Sequence, residues 1–279
     1  MNLDQAIFTS ARSSNFEGYH LVAASEGVGD ADRRALAVWG PSHGALRSEA
    51  NESGSVNFFR LPGGDYCVSK TWHAGAEYSH RNGARVYTHC LIASAETMAR
   101  FSNNPFFVLR AAIAGGHMRA LEQPPDRLET LCLPGRSPVV DSALLSELII
   151  TPGAERIASL MQAVCEHPQV AVVTDANAPQ LIAGVISCLP LAERLDFSFT
   201  TGLEFSSQRP FRVFSFARSG AAQRELSRQC DATLWDVQQP HGSLHGWAKE
   251  IASLLRENAI GELAQLLASQ DVVSSGEPA

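Results

Sequence analysis

The stretch VNFFRLPGGDYCVSKTWHA, residues 56–74, contains two runs of apolar and β-branched residues on either side of a Pro-Gly-Gly sequence. Runs of this composition predict strands, and Pro with Gly between them predicts a tight turn. The next stretch, GAEYSHRNGARVYTHCLIA (75–93), carries an Asn-Gly turn signal before a third run of the same kind. The region therefore predicts a hairpin followed by a further strand.

The flanking sequence predicts one more strand and three helices around this region. GYHLVAAS (18–25) favours a strand, and DADRRALAVWG (30–40) favours a helix with Asp30 as its N-cap. A helix over 94–102 is predicted to begin at the N-cap Ser94, and a second helix over 104–116 has Pro near its start and Gly after its end.

The composition changes in LEQPPDRLETLCLPGRSPVVD (121–141), which is rich in Pro and has little periodicity. Beyond it, strands are predicted at 169–175, 196–203, 210–217 and 232–237, and helices near 141–149, 153–167, 177–188, 243–257 and 260–269. Residues 271–279 are expected to form a frayed tail. We predict an α+β protein of two compact domains, with mainly antiparallel strand-rich layers covered by helices. The predicted segments are an N-terminal domain (1–125), a middle domain (126–240) and C-terminal helices with the tail (241–279).

Charge and cysteine usage limit the function classes. The 279-residue chain has a net charge of −7 and no cluster of Lys and Arg, which argues against nucleic acid and anionic membranes as partners. No apolar stretch reaches the length of about 20 residues that a membrane-spanning helix needs. The six cysteines are scattered, and none forms a CxxC pair, so reduced thiols in a cytoplasmic protein are expected.

The segment 75–92 concentrates residues with chemical potential. Alternation along a strand places Arg85, Tyr87 and His89 on one face and Thr88 and Cys90 on the other, so His89 and Cys90 cannot form a dyad with each other. A cross-strand pair such as Cys67 with His89 stays open. No ligand spacing predicts a metal site, and no residue set predicts a catalytic site or a cofactor. Neither GxxxxGK[ST] nor GxGxxG after a predicted strand is present.

Five residues stand out as candidates for partner binding: Tyr78, Arg81, His89, Asn103 and Asn104. A structural interpretation of each is also available. Tyr and His on strands are more often core-edge residues than catalysts. In FSNNPF (101–106), Asn103 or Asn104 would cap a helix that starts at Pro105, with the Phe residues packing inside.

Several of these segments together resemble the bacterial GTPase-associated protein family. The resemblance is carried by IFTSARSSNFEGYHLVAAS, by VNFFRLPGGDYCVSKTWHAGAEYSHRNGARVYTHCLI and by RFSNNPFFVLRAA. Glu77, Tyr78, Ser79 and Arg81 match a [DE]YSGR-like segment of the family, and His89 matches its histidine near the end of the next strand; His80 stands where the family usually has Gly. LCLPGRSPVVD and the sequence from Leu181 to Phe214 look like the family's middle domain.

The resemblance implies a partner protein of a GTPase-centred, multi-component bacterial system in signalling or defence. We therefore expect a cytoplasmic, non-enzymatic adaptor or regulatory subunit that binds a small GTPase or another subunit of the same system. Two alternatives stay open. One is a hydrolase or peptidase whose Cys/His or Ser-based site is assembled across strands, and the other is a purely structural subunit of a larger assembly.

Overall fold

The computed structural model describes residues 2–12, 17–47, 54–76, 84–174, 177–216 and 218–274. They form an α+β fold in which eleven strands make one mixed sheet. The strand order is β11-β8-β10-β9-β3-β4-β5-β1-β2-β6, and β7 pairs with β1 beside this path. None of the described helices is both long enough and apolar enough to span a bilayer.

The first half of the chain contributes antiparallel strands. They are β1 (Asn2–Arg12), β2 (Glu17–Ser25), β3 (Ser55–Arg60), β4 (Tyr66–Ala76) and β5 (Ala84–Ala93). The predicted hairpin 56–74 and the following strand are confirmed, since β4 pairs antiparallel with both β3 and β5. The long strand β1 was not predicted, and it lies between β5 and β2.

The Pro-Gly-Gly turn between β3 and β4 needs its glycines for two different reasons. Gly64 has φ +101°, a conformation that L side chains rarely adopt. Gly63 packs against helix α1, where its N–H donates to the Asp32 carboxylate at 2.7 Å. A Cβ at Gly63 would lie 2.5 Å from an Asp32 oxygen, so a side chain there would displace the Asp32 carboxylate.

Three helices cover the two faces of this antiparallel region. Helix α1 (Asp30–Trp39) packs on the face that carries Phe59 and Cys90, and its N-cap is Gly29 rather than the predicted Asp30. Helices α2 (Ala95–Arg100) and α3 (Pro105–Ala114) pack on the opposite face. The short strands β6 (Arg127–Leu128) and β7 (Leu131–Cys132) follow.

The second half contributes parallel strands; helices lie in the connections from β8 to β9 and from β10 to β11, whereas residues 201–212 connect β9 to β10 without a helix. The strands are β8 (Val170–Val173), β9 (Phe199–Thr200), β10 (Val213–Phe216) and β11 (Thr233–Asp236). The helices are α4 (Ser142–Leu148), α5 (Ala154–Glu166), α6 (Ala178–Cys188), α7 (Gly220–Gln229), α8 (Gly246–Arg256) and α9 (Ile260–Ser274). The strand predicted over 196–203 is only two residues long, and α7 was not predicted. Helix α9 extends to Ser274 and so includes the first part of the predicted tail, whereas 275–279 lie outside the described residues.

The two halves meet inside the sheet. Strand β9 pairs antiparallel with β3 through Asn57↔Thr200 and Phe58↔Phe199. The largest hydrophobic cluster likewise contains residues from both halves. The domain boundaries after 125 and 240 stay predictions; strands on both sides of the first boundary belong to the same sheet.

Candidate partner-binding surface

The turn between α2 and α3 is built by local capping chemistry. Helix α2 begins after Ser94, whose hydroxyl accepts from the Thr97 N–H at 3.3 Å. The chain then passes through Ser102 and Asn103, both with φ 52°. The Asn104 side chain accepts from the Phe106 N–H at 3.0 Å and caps α3. The capping role considered for Asn104 is therefore confirmed.

Asn103 connects this turn to the second half of the chain. Its Nδ2 donates to the backbone oxygen of Leu191 at 2.9 Å, and its side chain is nearly removed from solvent. On α3, the Phe106 ring stacks on Phe199 of β9 with centroids 5.3 Å apart. The turn therefore has a fixed position relative to the parallel strands.

Arg194 is a fully buried arginine that holds the same junction. It donates to the carbonyl oxygens of Ser102 at 2.9 Å, Val139 at 2.8 Å and Leu189 at 3.0 Å. Guanidinium has five N–H donors and no acceptor, so it suits a cluster of carbonyl groups. No local pattern indicates this role, because LAERLD (191–196) contains one arginine between ordinary polar and apolar residues.

An open groove lies between α3 and residues 134–142, and we call it the α3 groove. It encloses about 520 Å³, and most of its walls are apolar or uncharged. The helix side contributes Phe101, Phe107, Ala111 and Ala114, and the other side Pro134, Ser137, Pro138, Val140 and Ser142. Arg110, Arg136 and Asp141 complete the lining. The groove thus combines apolar surface with charged groups.

A polar pocket adjoins the groove and shares Arg136 and Ser137 with it; we call it the Arg100 pocket. It is lined by Glu96, Ala99, Arg100, Ser102, Arg136 and Ser137 and encloses about 730 Å³. The Arg100 guanidinium donates to the Gly135 carbonyl oxygen at 3.1 Å. The Ser137 N–H donates to the Arg100 carbonyl oxygen at 3.1 Å, which fixes the pocket's two sides to each other.

His89 lies far inside the antiparallel half. Its side chain is 3% exposed, and its Nε2 lies 2.8 Å from Gln5 Oε1. Gln5 Nε2 donates to the Glu129 carbonyl at 2.7 Å, so Gln5 Oε1 is the acceptor and His89 Nε2 carries the proton. Burial, and secondarily the charge of His117, lower the pKa of His89 to about 4. His89 is therefore a neutral core residue at neutral pH.

The five sequence candidates are thus distributed unequally. Asn103 and Asn104 hold the turn beside the groove and pocket, His89 is buried within the sheet region, and Tyr78 and Arg81 lie outside the described residues. The residues that sequence reasoning missed at this surface are Arg100, Arg110, Arg136 and the brace Arg194. Partner binding through the five candidates stays a prediction.

The pairing of Cys67 with His89 that the sequence left open is wrong. Cys67 is opposite Ile92, whereas His89 is opposite Lys70, so alternation places the thiol and the imidazole on opposite faces of the sheet. Burial raises the pKa of Cys67 well above its ordinary value, raises that of Cys188 to about 12 and raises that of Cys165 to about 11. These three thiols are protonated at neutral pH, unlike an activated cysteine nucleophile.

Two models of known protein domains match the chain. Residues 2–131 match the model of GTPase-associated protein 1, N-terminal domain type 2, and residues 144–239 match that of GTPase-associated protein 1, middle domain. Together the two models match more than half of the chain. The chain belongs to the GTPase-associated protein 1 family. The segment between the two family matches, 132–143, includes most of the non-helical wall of the α3 groove. No curated protein matches the chain.

Proposed function

We propose that this member of the GTPase-associated protein 1 family is a non-enzymatic adaptor or regulatory subunit. In this proposal it works in the cytoplasm of a bacterium, within a GTPase-centred signalling or defence system. It binds a small GTPase or another subunit of that system through the α3 groove.

The observation that carries the proposal is the combination of a fixed turn and an open groove. Asn103, Asn104 and Arg194 hold the α2–α3 turn, so the groove wall on α3 is presented in one geometry. A rigid wall reduces the ordering cost of association, which favours binding. The family match supports a GTPase or a related protein as the class of partner.

The test compares two bulky substitutions on the same helix. Ala114 is exposed and lines the groove, whereas its neighbour Ile113 is 47% exposed and does not line it. Ala114→Trp fills the groove, and Ile113→Trp adds the same side chain outside it. We expect Ala114→Trp to lower partner affinity at least about tenfold, because apolar contacts in the groove are replaced by a steric clash.

The measurement is affinity capture of the full chain from its native cytoplasm, in parallel with GDP and with a non-hydrolysable GTP analogue. A GTPase or co-purified subunit retained by the wild type and by Ile113→Trp, but lost by Ala114→Trp, supports the proposal. Equal retention by both variants would remove the groove from the binding surface. A difference between the nucleotide lanes would show which state of the GTPase is recognised.

A further inference from the structure

The groove and the Arg100 pocket carry an excess of positive charge, although the chain as a whole has a net charge of −7. Their lining includes Arg100, Arg110 and Arg136 against Glu96 and Asp141. Asp141 is only 9% exposed, is paired with Arg110 and also accepts from the Leu144 N–H at 3.3 Å. This ion pair neutralises Arg110 as well as Asp141, so the charges left for a ligand are those of Arg100 and Arg136 against Glu96.

The donors in the pocket are side chains rather than a backbone cradle. The Ser137 N–H is already bonded to the Arg100 carbonyl, and Arg100 Nε is buried and therefore out of a ligand's reach. Arg136 is exposed beside it. Guanidinium forks match carboxylates and phosphates alike, whereas many phosphate sites add a nest of successive backbone N–H groups, which the Ser137 N–H, already bonded, does not supply. The donor set therefore suits a carboxylate and does not include the backbone nest that is typical of phosphate sites.

The apolar wall determines what carries those carboxylates. The pocket shares Arg136 and Ser137 with the α3 groove, whose exposed apolar lining is Ala114, Pro134 and Pro138, whereas its Phe101 and Phe107 are buried in the hydrophobic core. Helix α3 has ten residues and is therefore about 15 Å long, enough for several residues of a bound segment. A ligand that satisfies both surfaces has apolar side chains next to acidic ones, as an amphipathic protein segment does.

We infer that the Arg100 pocket and Arg136 bind carboxylates of an acidic segment of a partner protein, while apolar side chains of that segment lie in the α3 groove. This inference rests on the proposed function and specifies the chemistry of its partner. Arg136 supplies an exposed guanidinium, and Arg100 supplies one that the Gly135 carbonyl holds in place. Because exposed charges take part, binding weakens as salt concentration rises.

The probe is a random peptide library displayed on phage and selected on the immobilised full chain. Arg136→Glu is the reversing variant, and Arg119→Glu is the matched control, because Arg119 is exposed and does not line the groove or the pocket. We expect the wild type and Arg119→Glu to enrich peptides with Asp or Glu next to apolar residues. Arg136→Glu should bind those peptides at least about tenfold more weakly and should select peptides with Lys or Arg instead.

The outcomes separate this inference from the proposed function. If Ala114→Trp abolishes partner capture but Arg136→Glu leaves peptide choice unchanged, the groove binds the partner and the carboxylate assignment is wrong. The assignment also fails if the wild type enriches no acidic peptides while inorganic phosphate raises its Tm and does so less for Arg136→Glu. Arg100→Lys provides a second reading: it keeps the charge but loses the fork, so it should weaken binding of the acidic peptides without changing which peptides are selected.

Discussion

The antiparallel and the parallel halves of the sheet bury polar groups in different ways. In the antiparallel half most buried polar groups are neutral, with Asp32 and Arg47 as charged exceptions, and Asn57 is the centre of a network between strands. Its Oδ1 accepts from Ser55 at 2.8 Å and from Thr200 at 2.6 Å, and its Nδ2 donates to Ser69 at 3.1 Å and to Thr71 at 3.2 Å. Every one of these partners is a hydroxyl group.

In the parallel half, Arg194 and Arg212 donate to backbone carbonyls where helices end. Arg194 donates to carbonyls at the end of α6, including Leu189. Arg212 donates to the carbonyls of Val164 at 3.1 Å and Pro168 at 3.2 Å, at and after the end of α5. The last carbonyls of a helix have no partner within the helix, so each helix-linked connection leaves acceptors that need donors.

The difference teaches how backbone topology selects side chains. Antiparallel strands pair their backbone groups with one another, so the polar atoms left inside are side chains that satisfy each other. Helices between parallel strands leave carbonyl acceptors, and a guanidinium satisfies several at once. A hydroxyl can reorient when its partner is removed, whereas a helix-end carbonyl cannot. Breaking the arginine type of contact should therefore cost more.

The largest effect is expected for Arg194→Met. The change leaves the carbonyls of Ser102, Val139 and Leu189 without this donor in a fully buried site. We expect the free energy of unfolding to fall by about 3–5 kcal/mol, because three carbonyls lose their donor and each buried polar group left unsatisfied costs about 1–3 kcal/mol. Urea unfolding measures it, and Arg224→Met, at an exposed arginine of α7, serves as the control.

The control should change stability by about 0.5 kcal/mol or less. A loss below about 1 kcal/mol for Arg194→Met would contradict the idea that the carbonyls depend on this donor. In that case the two halves would differ in which residues make the buried polar contacts, but not in how much stability those contacts contribute.

The next effect is a pH dependence in the antiparallel half, caused by His89. Its folded-state pKa of about 4 lies below the ordinary value of 6.5, so the unfolded chain binds the proton more readily. This contribution to stability is complete above about pH 6.5 and is lost as the pH falls towards 4. The total loss of stability is about 3 kcal/mol. His89→Gln should remove this component, because glutamine does not titrate.

The measurement is urea unfolding at several pH values between 4 and 7, comparing the wild type with His89→Gln and with His43→Gln, an exposed control. The difference between wild type and His89→Gln should shrink as the pH falls, whereas the difference for His43→Gln should stay constant. Parallel pH profiles for the wild type and His89→Gln would contradict a buried neutral His89.

Whether the sequence predicts a feature of the fold depends on how far apart in the sequence the interacting residues lie. The 56–74 hairpin and the cap of α3 depend on neighbours in sequence; the hairpin was predicted correctly, and Asn104 is one of the two residues, Asn103 or Asn104, considered for the cap. Strand β1 pairs with the neighbouring β2 and with the distant β5, from Thr9↔Tyr87 to Asp4↔Ile92, and α7 has few apolar residues, with Leu226 buried; neither segment has a strong local pattern. The same reason hid Arg194, whose acceptor Ser102 is 92 positions away.

The candidate surface also depends partly on contacts between residues that are distant in the sequence. Asn103 and Asn104 were recognised because capping residues have a local signature, and they do hold the turn beside the groove. The groove itself requires α3 to face residues 134–142, and no local pattern specifies that contact. Burial of His89 likewise depends on pairing with β1, so its strand position alone did not distinguish a surface residue from a core residue.

The smallest stability effect is expected for Asn57→Ala, and its size sharpens the comparison. The change removes an amide that bonds four hydroxyl groups, yet Ser55 Oγ and Thr200 Oγ1 already lie 3.0 Å apart, and Thr71 Oγ1 lies 2.9 Å from Thr88 Oγ1. These hydroxyls can bond one another after the amide is lost, so we expect a loss of about 1–3 kcal/mol, less than for Arg194→Met. Urea unfolding measures both variants, with Asn2→Ala at an exposed strand end as control.

If Asn57→Ala cost more than Arg194→Met, reorientation of hydroxyls would not be what separates the two halves. The Asn57 amide, which lies on β3 and hydrogen-bonds residues of β4 and β9, would then be the more important connection between the two halves.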